Sequence, residues 1–483
     1  MATATKTIIQ QLETKHPDWV AATSELFNQA IVFYFDILQG HQSLLELPTK
    51  QLLTHLEKLS VKTVFNPEPT FPLPWELPAM FRRACINSAI GRARSFYSNL
   101  ERWHKQKEKA EVKGKKFVER PPVPPREFHQ HPLLYAGMYR FDGGNVLLKL
   151  FTGTTWCWIK FRMAGRTTPP DWQAASPKLV LKAKRITLHI PIEKQIKVNK
   201  IQQQIKADGE FCICAVDLNI NNNLAVCRIL RADGSLIASR FIGGGDSLSG
   251  RRKRALGRIA NKRSKTGSLN KAEKDNKQLW AKVNNIDKYE AHRVSRRIVE
   301  FAAEYGAKVI VFEHLANFRP ERGKYSRRAN SKRSFWLRGK IFAFTKYKAF
   351  ELGIITSRVN PRNTSRDCAY CGTKVARHNQ GEEPIEYRAG APLYTCPNGH
   401  KGNADLNAAN NIALRLFARY NISVSLQKSL SKDKVVSLLY TGAGQESRDG
   451  QVAPPSVSAV NYVPNAVEAT PQLLPVATIR GCA

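Results

Sequence analysis

The order of patterned segments predicts a multidomain α+β protein with a mixed α/β unit at its centre. Two short apolar runs, rich in β-branched residues or cysteine, each end in a single carboxylate. They are Phe211-Cys212-Ile213-Cys214-Ala215-Val216-Asp217 and Lys308-Val309-Ile310-Val311-Phe312-Glu313. A buried strand whose C-terminal tip carries chemistry reads this way. A third acid, Asp405, opens an Ala/Asn-rich helical pattern, Asp405-Leu406-Asn407-Ala408-Ala409-Asn410-Asn411-Ile412. Charged residues are rare beside buried strands unless paired or metal-bound. Carboxylates from two strand ends and one helix can converge on a pair of divalent cations, magnesium or manganese, because an all-carboxylate site suits hard cations. Two such cations act on the attacking and leaving oxygens of a phosphodiester together.

The first element is a short strand at residues 7–15. From His16 the pattern turns helical, with Trp19, Ala22, Leu26, Ala30, Phe33 and Ile37 at three- and four-residue intervals. A second helical region follows at residues 45–59, and Pro67, Pro69, Pro72 and Pro74 break it. A third helix, residues 78–109, is strongly basic and carries Arg82, Arg83, Arg92 and Arg94 with Phe96, Tyr97 and Trp103 interleaved. Basic residues alternating with aromatics suit nucleic-acid contact. Pro121-Pro122-Val123-Pro124-Pro125 is a stiff linker. Residues 133–192 alternate and are punctuated by turns, as in a small antiparallel sheet or barrel. Trp156 and Trp158 share a strand face there and are expected in its core.

Residues 211–242 form a three-stranded meander with turns at 219–223 and 232–234. Eight of the fifteen residues in 251–265 are Lys or Arg, beginning Arg251-Arg252-Lys253-Arg254. A helix bearing His292, Arg296 and Arg297 comes next, with Val294, Ile298 and Ala302 facing inward; Arg251, Arg252, Lys253, Arg254, Arg296 and Arg297 are read, like the arginines of the third helix, as nucleic-acid contacts. Then come the Glu313 strand, a basic loop at 322–340, a helix at 342–352, a strand at 354–359 and the helix beginning near Asp405. Three strands, helix, strand, helix, strand, final helix is the order of a ribonuclease-H-like fold. Its first strand, fourth strand and last helix carry the acids. Residues 442–483, rich in Ser, Gln, Val, Pro and Ala, read as disordered.

A net charge of +37 over 483 residues points to a polyanionic partner. No run reaches the roughly 18 apolar residues of a membrane span, and the N-terminus lacks a secretory apolar region. Nine cysteines, an odd number, fit a reducing compartment and metal binding better than disulfides. Cys368-Ala369-Tyr370-Cys371-Gly372 is followed by Cys396-Pro397-Asn398-Gly399-His400, with 24 residues between Cys371 and Cys396. This C-x2-C…C-x3-H spacing suits a closed structural zinc site. Its fourth ligand is read as His400, with His378 or an incomplete site as alternatives.

The blocks around Asp217, Glu313 and Asp405 resemble the three RuvC motifs of the TnpB family, transposon-encoded RNA-guided DNA endonucleases that are ancestors of compact type V CRISPR effectors. His292-Arg293-Val294-Ser295-Arg296-Arg297-Ile298-Val299 is similar to the family's bridge into its second motif. Val359-Asn360-Pro361-Arg362-Asn363-Thr364-Ser365-Arg366-Asp367-Cys368 is similar to its approach to the zinc ribbon. Asn403-Ala404-Asp405-Leu406-Asn407-Ala408-Ala409 resembles the third motif. The match is specific over 211–418, whereas the first 200 residues agree in layout alone. Three positions depart from the pattern: Asn219 stands for a common Gly, Gly399-His400 for the last Cys-Gly, and Asn403 for a common acid.

The resemblance implies a wedge-like β-barrel from residues 1–15 and 126–205, a helical recognition lobe at 16–125 and a RuvC-like nuclease unit at 206–362. A zinc ribbon follows at 363–402 and the final nuclease helix at 403–441. It also implies guide RNA and target DNA as partners, magnesium or manganese at the acids, and a bacterial cytoplasm, at the nucleoid. The oligomeric state stays open. Two rival readings are a nuclease-silent RNA-guided DNA-binding protein and an autonomous DNA transposase or resolvase.

Overall fold

The chain builds three sheets and nine α-helices among its described residues. The computed structural model describes residues 2–426, except 15, 183–184, 208–209, 221, 268–275, 316–317, 319 and 322 and the side chain of residue 328. The tail at 442–483, expected to be disordered, lies outside the described residues.

The first sheet holds β1 (Ala2–Glu13), β2 (Tyr139–Asp142), β3 (Asn145–Phe151), β4 (Trp156–Gly165), β5 (Gln173–Ala174), β6 (Lys178–Lys182) and β7 (Arg185–Ile196). Their order is β2-β3-β4-β1-β7-β5, with β6 also on β7. The opening strand is longer than its apolar pattern suggests. It pairs with β7 from Ala2↔Ile196 to Leu12↔Ile186 and so draws the N-terminus into the middle of the sheet. Alternation sends Val146, Leu148 and Leu150 inward, against α1 (Pro17–Gly40), α2 (Thr49–Ser60) and α3 (Ala79–Val112). On α1, Phe27, Ala30, Ile31, Tyr34, Phe35 and Leu38 are all buried, a stripe at helical spacing. A short 3-10 helix, Gln42–Glu46, joins α1 to α2. On α3 burial ends at Ala93, and the remaining turns project as a polar, basic arm.

The tryptophan expectation needs correction. Trp156 and Trp158 do share a face, but Phe161 marks the opposite face as the buried one. Trp156 is half-buried against Phe81. Trp158 is 39% exposed beneath the Arg140 guanidinium.

After α4 (Ile201–Ala207), a second sheet takes β8 (Cys212–Leu218), β9 (Ala225–Arg231), β10 (Leu236–Ile242), β11 (Val309–Glu313) and β12 (Ile355–Val359) in the order β10-β9-β8-β11-β12. The first three are antiparallel, and β8, β11 and β12 are parallel. Helices α5 (Gly245–Thr266), α6 (Lys277–Glu304), α7 (Arg327–Phe335) and α8 (Arg338–Glu351) lie between β10 and β12 in sequence. The stretch read as a basic loop is therefore partly helical; Ser326 caps α7 by accepting the Ala329 N–H at 3.2 Å.

The two faces of this sheet separate by the strand period of two. Cys212, Cys214 and Val216 of β8 pack with Val294, Ile298 and Phe301 of α6 and Ile341 and Ala349 of α8. Ile213 and Ala215, with Val309 and Val311 of β11, pack instead with Ile412, Ala413, Leu416 and Phe417 of α9 (Ala404–Arg419). Between β12 and α9 lies a third sheet, β13 (Ala376–His378), β14 (Leu393–Thr395) and β15 (Lys401–Asn403). Past α9, Ile422, Val424 and Leu426 return to the α9 core and cross the β9–β10 turn.

That crossing restricts Gly234, which has φ +89°; a Cβ there would meet the Ser425 carbonyl oxygen at 2.1 Å. Gly234→Ala is expected to destabilise the chain by at least about 1 kcal/mol. Gly91→Ala, in the open interior of α3, should stabilise by about 0.5–1 kcal/mol. Thermal denaturation of both variants beside the parent checks the opposite signs.

Candidate acid centre and adjoining cysteine-histidine site

Alternation along β8 puts Asp217 on the same face as Ile213 and Ala215, the face that α9 covers. Alternation along β11 does the same for Glu313 after Val309 and Val311. The parallel register pairs Phe312 with Val216, so one step further sets Glu313 beside Asp217 at the strand ends. Asp405 enters from the first turn of α9, where the helix N-terminus favours a negative charge. The Asn403 side chain caps that helix, accepting from the Asp405 N–H at 2.9 Å and the Leu406 N–H at 3.1 Å. The position that commonly carries an acid in the resembled motif thus caps the helix here.

Asp217 feels the other two carboxyls. Burial pushes Asp217 well above the usual carboxylate range, and the charges of Glu313 and Asp405 push it further; Arg377 and the Asn219 amide pull the other way. Burial also raises Glu313, against the Thr364 hydroxyl and Arg415. Burial raises Asp405 too, against Arg377. Direct partners are few. Asn219 Nδ2 donates to Asp217 Oδ2 at 3.2 Å. Thr364 Oγ1 donates to Glu313 Oε1. Arg377 Nη2 donates to Asp405 Oδ1 at 2.7 Å.

Arg377 and Thr364 were not singled out from the sequence. Arg377 lies on β13 of the small sheet, 8% exposed, and its Nε donates to the Ala391 carbonyl. Thr364, 2% exposed, lies just before the cysteines. Nothing in the local pattern of either residue marks it. The asparagines of α9 did carry a signal, since Asn407 and Asn411 are four apart on one helical face. Asn407 Nδ2 donates to the Asp367 carbonyl at 2.8 Å and its Oδ1 accepts the Ala369 N–H at 2.9 Å. Asn411 Nδ2 donates to the Thr364 and Asp367 carbonyls at 2.8 and 2.7 Å.

Among the described residues, one group of Cys, His, Asp or Glu side chains brings its ligand atoms within 4.8 Å of one another: Cys368, Cys371, Cys396 and His400. Gly372 and Gly399, at φ +74° and +80°, turn the backbone around the sulfurs. Cys371 Sγ lies 3.3 Å from Cys396 Sγ. The Thr373 hydroxyl holds the Cys371 thiol down at about 5, while burial pushes Cys368 up to about 11. His400 stacks on Tyr370, and its Nδ1 is buried without a hydrogen-bond partner. His378 has both ring nitrogens engaged, with the Asn379 carbonyl and the Thr395 hydroxyl, each at 3.0 Å. Three sulfurs and one orphaned imidazole nitrogen are the donor set of a closed, structural zinc site.

The ten basic residues read as nucleic-acid contacts fall into two groups. Arg82 and Arg83 both grip Glu57, and Arg94 donates to the Leu45 and Leu47 carbonyls and the Thr49 hydroxyl. Arg251 pairs with the buried Glu290 and Arg252 with the buried Asp287. Arg92, Lys253, Arg254 and Arg297 are exposed, as is Arg296 beside Glu300.

A mixed sheet with acids at two parallel strand ends and on its last helix, joined to a Cys3His ribbon, defines the class. Residues 4–152 match the Aq_aa04 family and residues 339–412 match the Cas12f1-like, TNB domain. The TnpB-like protein aq_aa05 of Aquifex aeolicus (strain VF5) is 30% identical over 261 residues, covering 52% of this chain and 79% of that protein. The chain belongs to the TnpB-like protein family. The CRISPR-associated endodeoxyribonuclease Cas12f1 of Sulfoacidibacillus thermotolerans is 35% identical over 137 residues, 28% of this chain and 29% of that protein. The crystal structure of Alicyclobacillus acidoterrestris C2c1 in complex with single-guide RNA covers 86% of this chain and 88% of its own, with TM-score 0.56 and 8% identity, a likeness of fold alone. No helix among the described residues is long and apolar enough to cross a membrane.

Elemental analysis of the purified chain should find one zinc per molecule. His400→Ala and Cys396→Ser should lower both zinc content and thermal stability, since binding energy at a structural site is folding energy. His378→Ala should keep its zinc.

Proposed function

We propose that this chain is an RNA-guided, divalent-metal-dependent DNA endonuclease of a transposable element, with Asp217, Glu313 and Asp405 as its catalytic carboxylates. One observation carries the reading: three acids from distant segments meet in one desolvated place at the end of a parallel strand pair, in a chain of +37 net charge. On this reading the five-stranded sheet and α9 are a ribonuclease-H-like, RuvC-like nuclease unit. The seven-stranded sheet is the wedge, and α1–α3 are the recognition lobe. The endodeoxyribonuclease named among the relatives and the guide-RNA complex named among the structures support the choice of nucleic acids.

The acid centre fits hard cations by its chemistry, since all three side chains are oxygen donors. Magnesium or manganese, held by Asp217, Glu313 and Asp405, would activate water and stabilise the leaving 3′-oxygen. The chain's own part is to keep three carboxylates together without that charge compensation. Arg377 neutralises Asp405, and Asn219 and Thr364 fix the oxygens of Asp217 and Glu313. Exposed Arg92, Lys253, Arg254, Arg296 and Arg297 are placed to meet phosphates. The target sequence would be read by base pairing with a guide RNA. Zinc in the Cys3His ribbon would be structural.

Protein carrying its copurified RNA should cut only duplexes that match a segment of that RNA beside a fixed short motif. Changing the segment should redirect the cut. Asp217→Ala, Glu313→Ala and Asp405→Ala should abolish cleavage, by at least about a thousandfold, and keep RNA binding. Site-specific cutting by RNA-free protein would overturn guidance in favour of a transposase or resolvase. Guided binding with no cleavage under magnesium or manganese would favour the silent reading.

A second expectation follows from the raised carboxyls. An acid whose folded pKa is raised binds its proton more tightly when folded, so it costs nothing below the ordinary carboxylate range. The cost grows as pH rises through that range toward the folded value. At neutral pH without divalent cation, Asp217→Asn should therefore melt higher than the parent. Magnesium should raise the melting temperature of the parent and not that of the variant. Thermal scans in chelator and in magnesium check both signs.

A further inference from the structure

The structure places one buried hydroxyl between the cysteine-histidine site and the acid centre. Thr364 Oγ1 donates to Glu313 Oε1, and it lies four residues before Cys368 on a single tight turn. We propose that Thr364 is a positioning residue through which the zinc ribbon holds Glu313 ready for a divalent cation, so that zinc occupancy and cation binding at the acids are linked. The proposal rests on the reading of Asp217, Glu313 and Asp405 as cation ligands.

The turn is held at both ends. Asn363 adopts φ +64°, a conformation asparagine tolerates, and its carbonyl accepts from the Arg366 N–H and the Asp367 N–H, both at 3.0 Å. The Cys368 N–H donates to the Thr373 carbonyl at 2.8 Å, inside the loop that carries Cys371. Asn411 fixes the Thr364 carbonyl, and both Asn407 and Asn411 fix that of Asp367. Thr364 therefore has little freedom of its own: α9 fixes its carbonyl, and the turn ties it to the first cysteine. The hydroxyl has one proton and two acceptors in reach, the Glu313 carboxylate and the Pro361 carbonyl at 3.0 Å. A carboxylate is the stronger acceptor. An outer partner that orients a metal-binding carboxylate commonly changes metal affinity about 10- to 100-fold when it is lost.

Loss of zinc frees Cys368, Cys371 and Cys396 from a common centre and loosens the turn. Glu313 then loses its one side-chain hydrogen bond donor among the described residues. The dependence also runs in reverse, because linkage is reciprocal for binding free energies. A cation that orders Glu313 and Thr364 also steadies the first zinc ligand.

The test uses the full chain without nucleic acid and manganese alone as the probe, titrated calorimetrically, with zinc content measured on the same samples. Thr364→Val, which keeps the shape and removes the donor, should retain one zinc and bind manganese about tenfold more weakly. Thr364→Ser should stay within about twofold of the parent, which a merely space-filling role would not produce. Removing zinc from the parent by a chelator should weaken manganese binding at least as much as Thr364→Val does. Parent-like manganese affinity in zinc-loaded Thr364→Val overturns the coupling alone. A parent chain whose manganese binding is absent, or survives Asp217→Ala, overturns the acid-centre reading and the coupling with it.

Discussion

Asp217 is buried beside two other carboxylates, Glu313 and Asp405, whose charges act against its own, and much of the central architecture answers that repulsion. A buried carboxylate is tolerated when it is protonated, paired or bound to a cation. Each acid here has a polar partner from outside its own strand or helix: Asn219 from the turn after β8, Thr364 from the turn after β12, and Arg377 from β13. Among the described residues, only Arg377 brings a full charge into contact. Three acids and one contacting cation leave a negative surplus inside a chain that is otherwise heavily positive. The surplus is local, desolvated and made wholly of oxygen donors, the environment that draws hard divalent cations.

The opposite problem occupies the basic helices. Packing α5 on α6 brings arginines toward a core, and the buried acids of α6 answer them. Glu290, 2% exposed, takes Arg251 and Arg293, and Asp287 takes Arg252 and Lys340. Glu57 on α2 does the same for Arg82 and Arg83 of α3. These pairs fix which face of each helix turns inward. The lysines and arginines left over then lie on the outer faces. A basic run therefore mixes buried, paired cations with exposed ones, and density of charge does not sort them.

That mixture explains where the sequence was legible. Strand alternation located Asp217 and Glu313 at the ends of β8 and β11, because a period of two and a terminal acid are local facts. The cysteine spacing located three members of the Cys3His group for the same reason. It is His400, not His378, that lies with the three cysteines, and the partners agree: one imidazole has an orphaned buried nitrogen and the other has none. Arg377, 28 residues before Asp405 in sequence, becomes its ion-pair partner only when the ribbon folds back on α9. Trp158 was misplaced because its strand has one open face, and sharing a face with Trp156 does not say which face is covered. Residues 327–335 were read as loop because their helix is strongly basic and none of its described side chains is buried; its signal is the Ser326 cap.

Helix α9 is the element in which these constraints meet. One stretch of it must cover a sheet, start beside an acid centre and hold a neighbouring ribbon. Its composition follows from those three duties. Ile412, Ala413, Leu416 and Phe417 cover the sheet. Ala404, Ala408 and Ala409 are small and fully buried, so other chain segments approach closely. Asn407 and Asn411 satisfy the backbone groups of the turn that approaches, groups that would otherwise be buried without partners. Asparagine is a poor helix former, and its repeated use here is a sign that tertiary hydrogen bonds outweigh propensity. The Ala/Asn-rich pattern that first marked Asp405 is thus the imprint of the ribbon on the helix. An acid on α9 and a cysteine on the ribbon are held in register by the same amides.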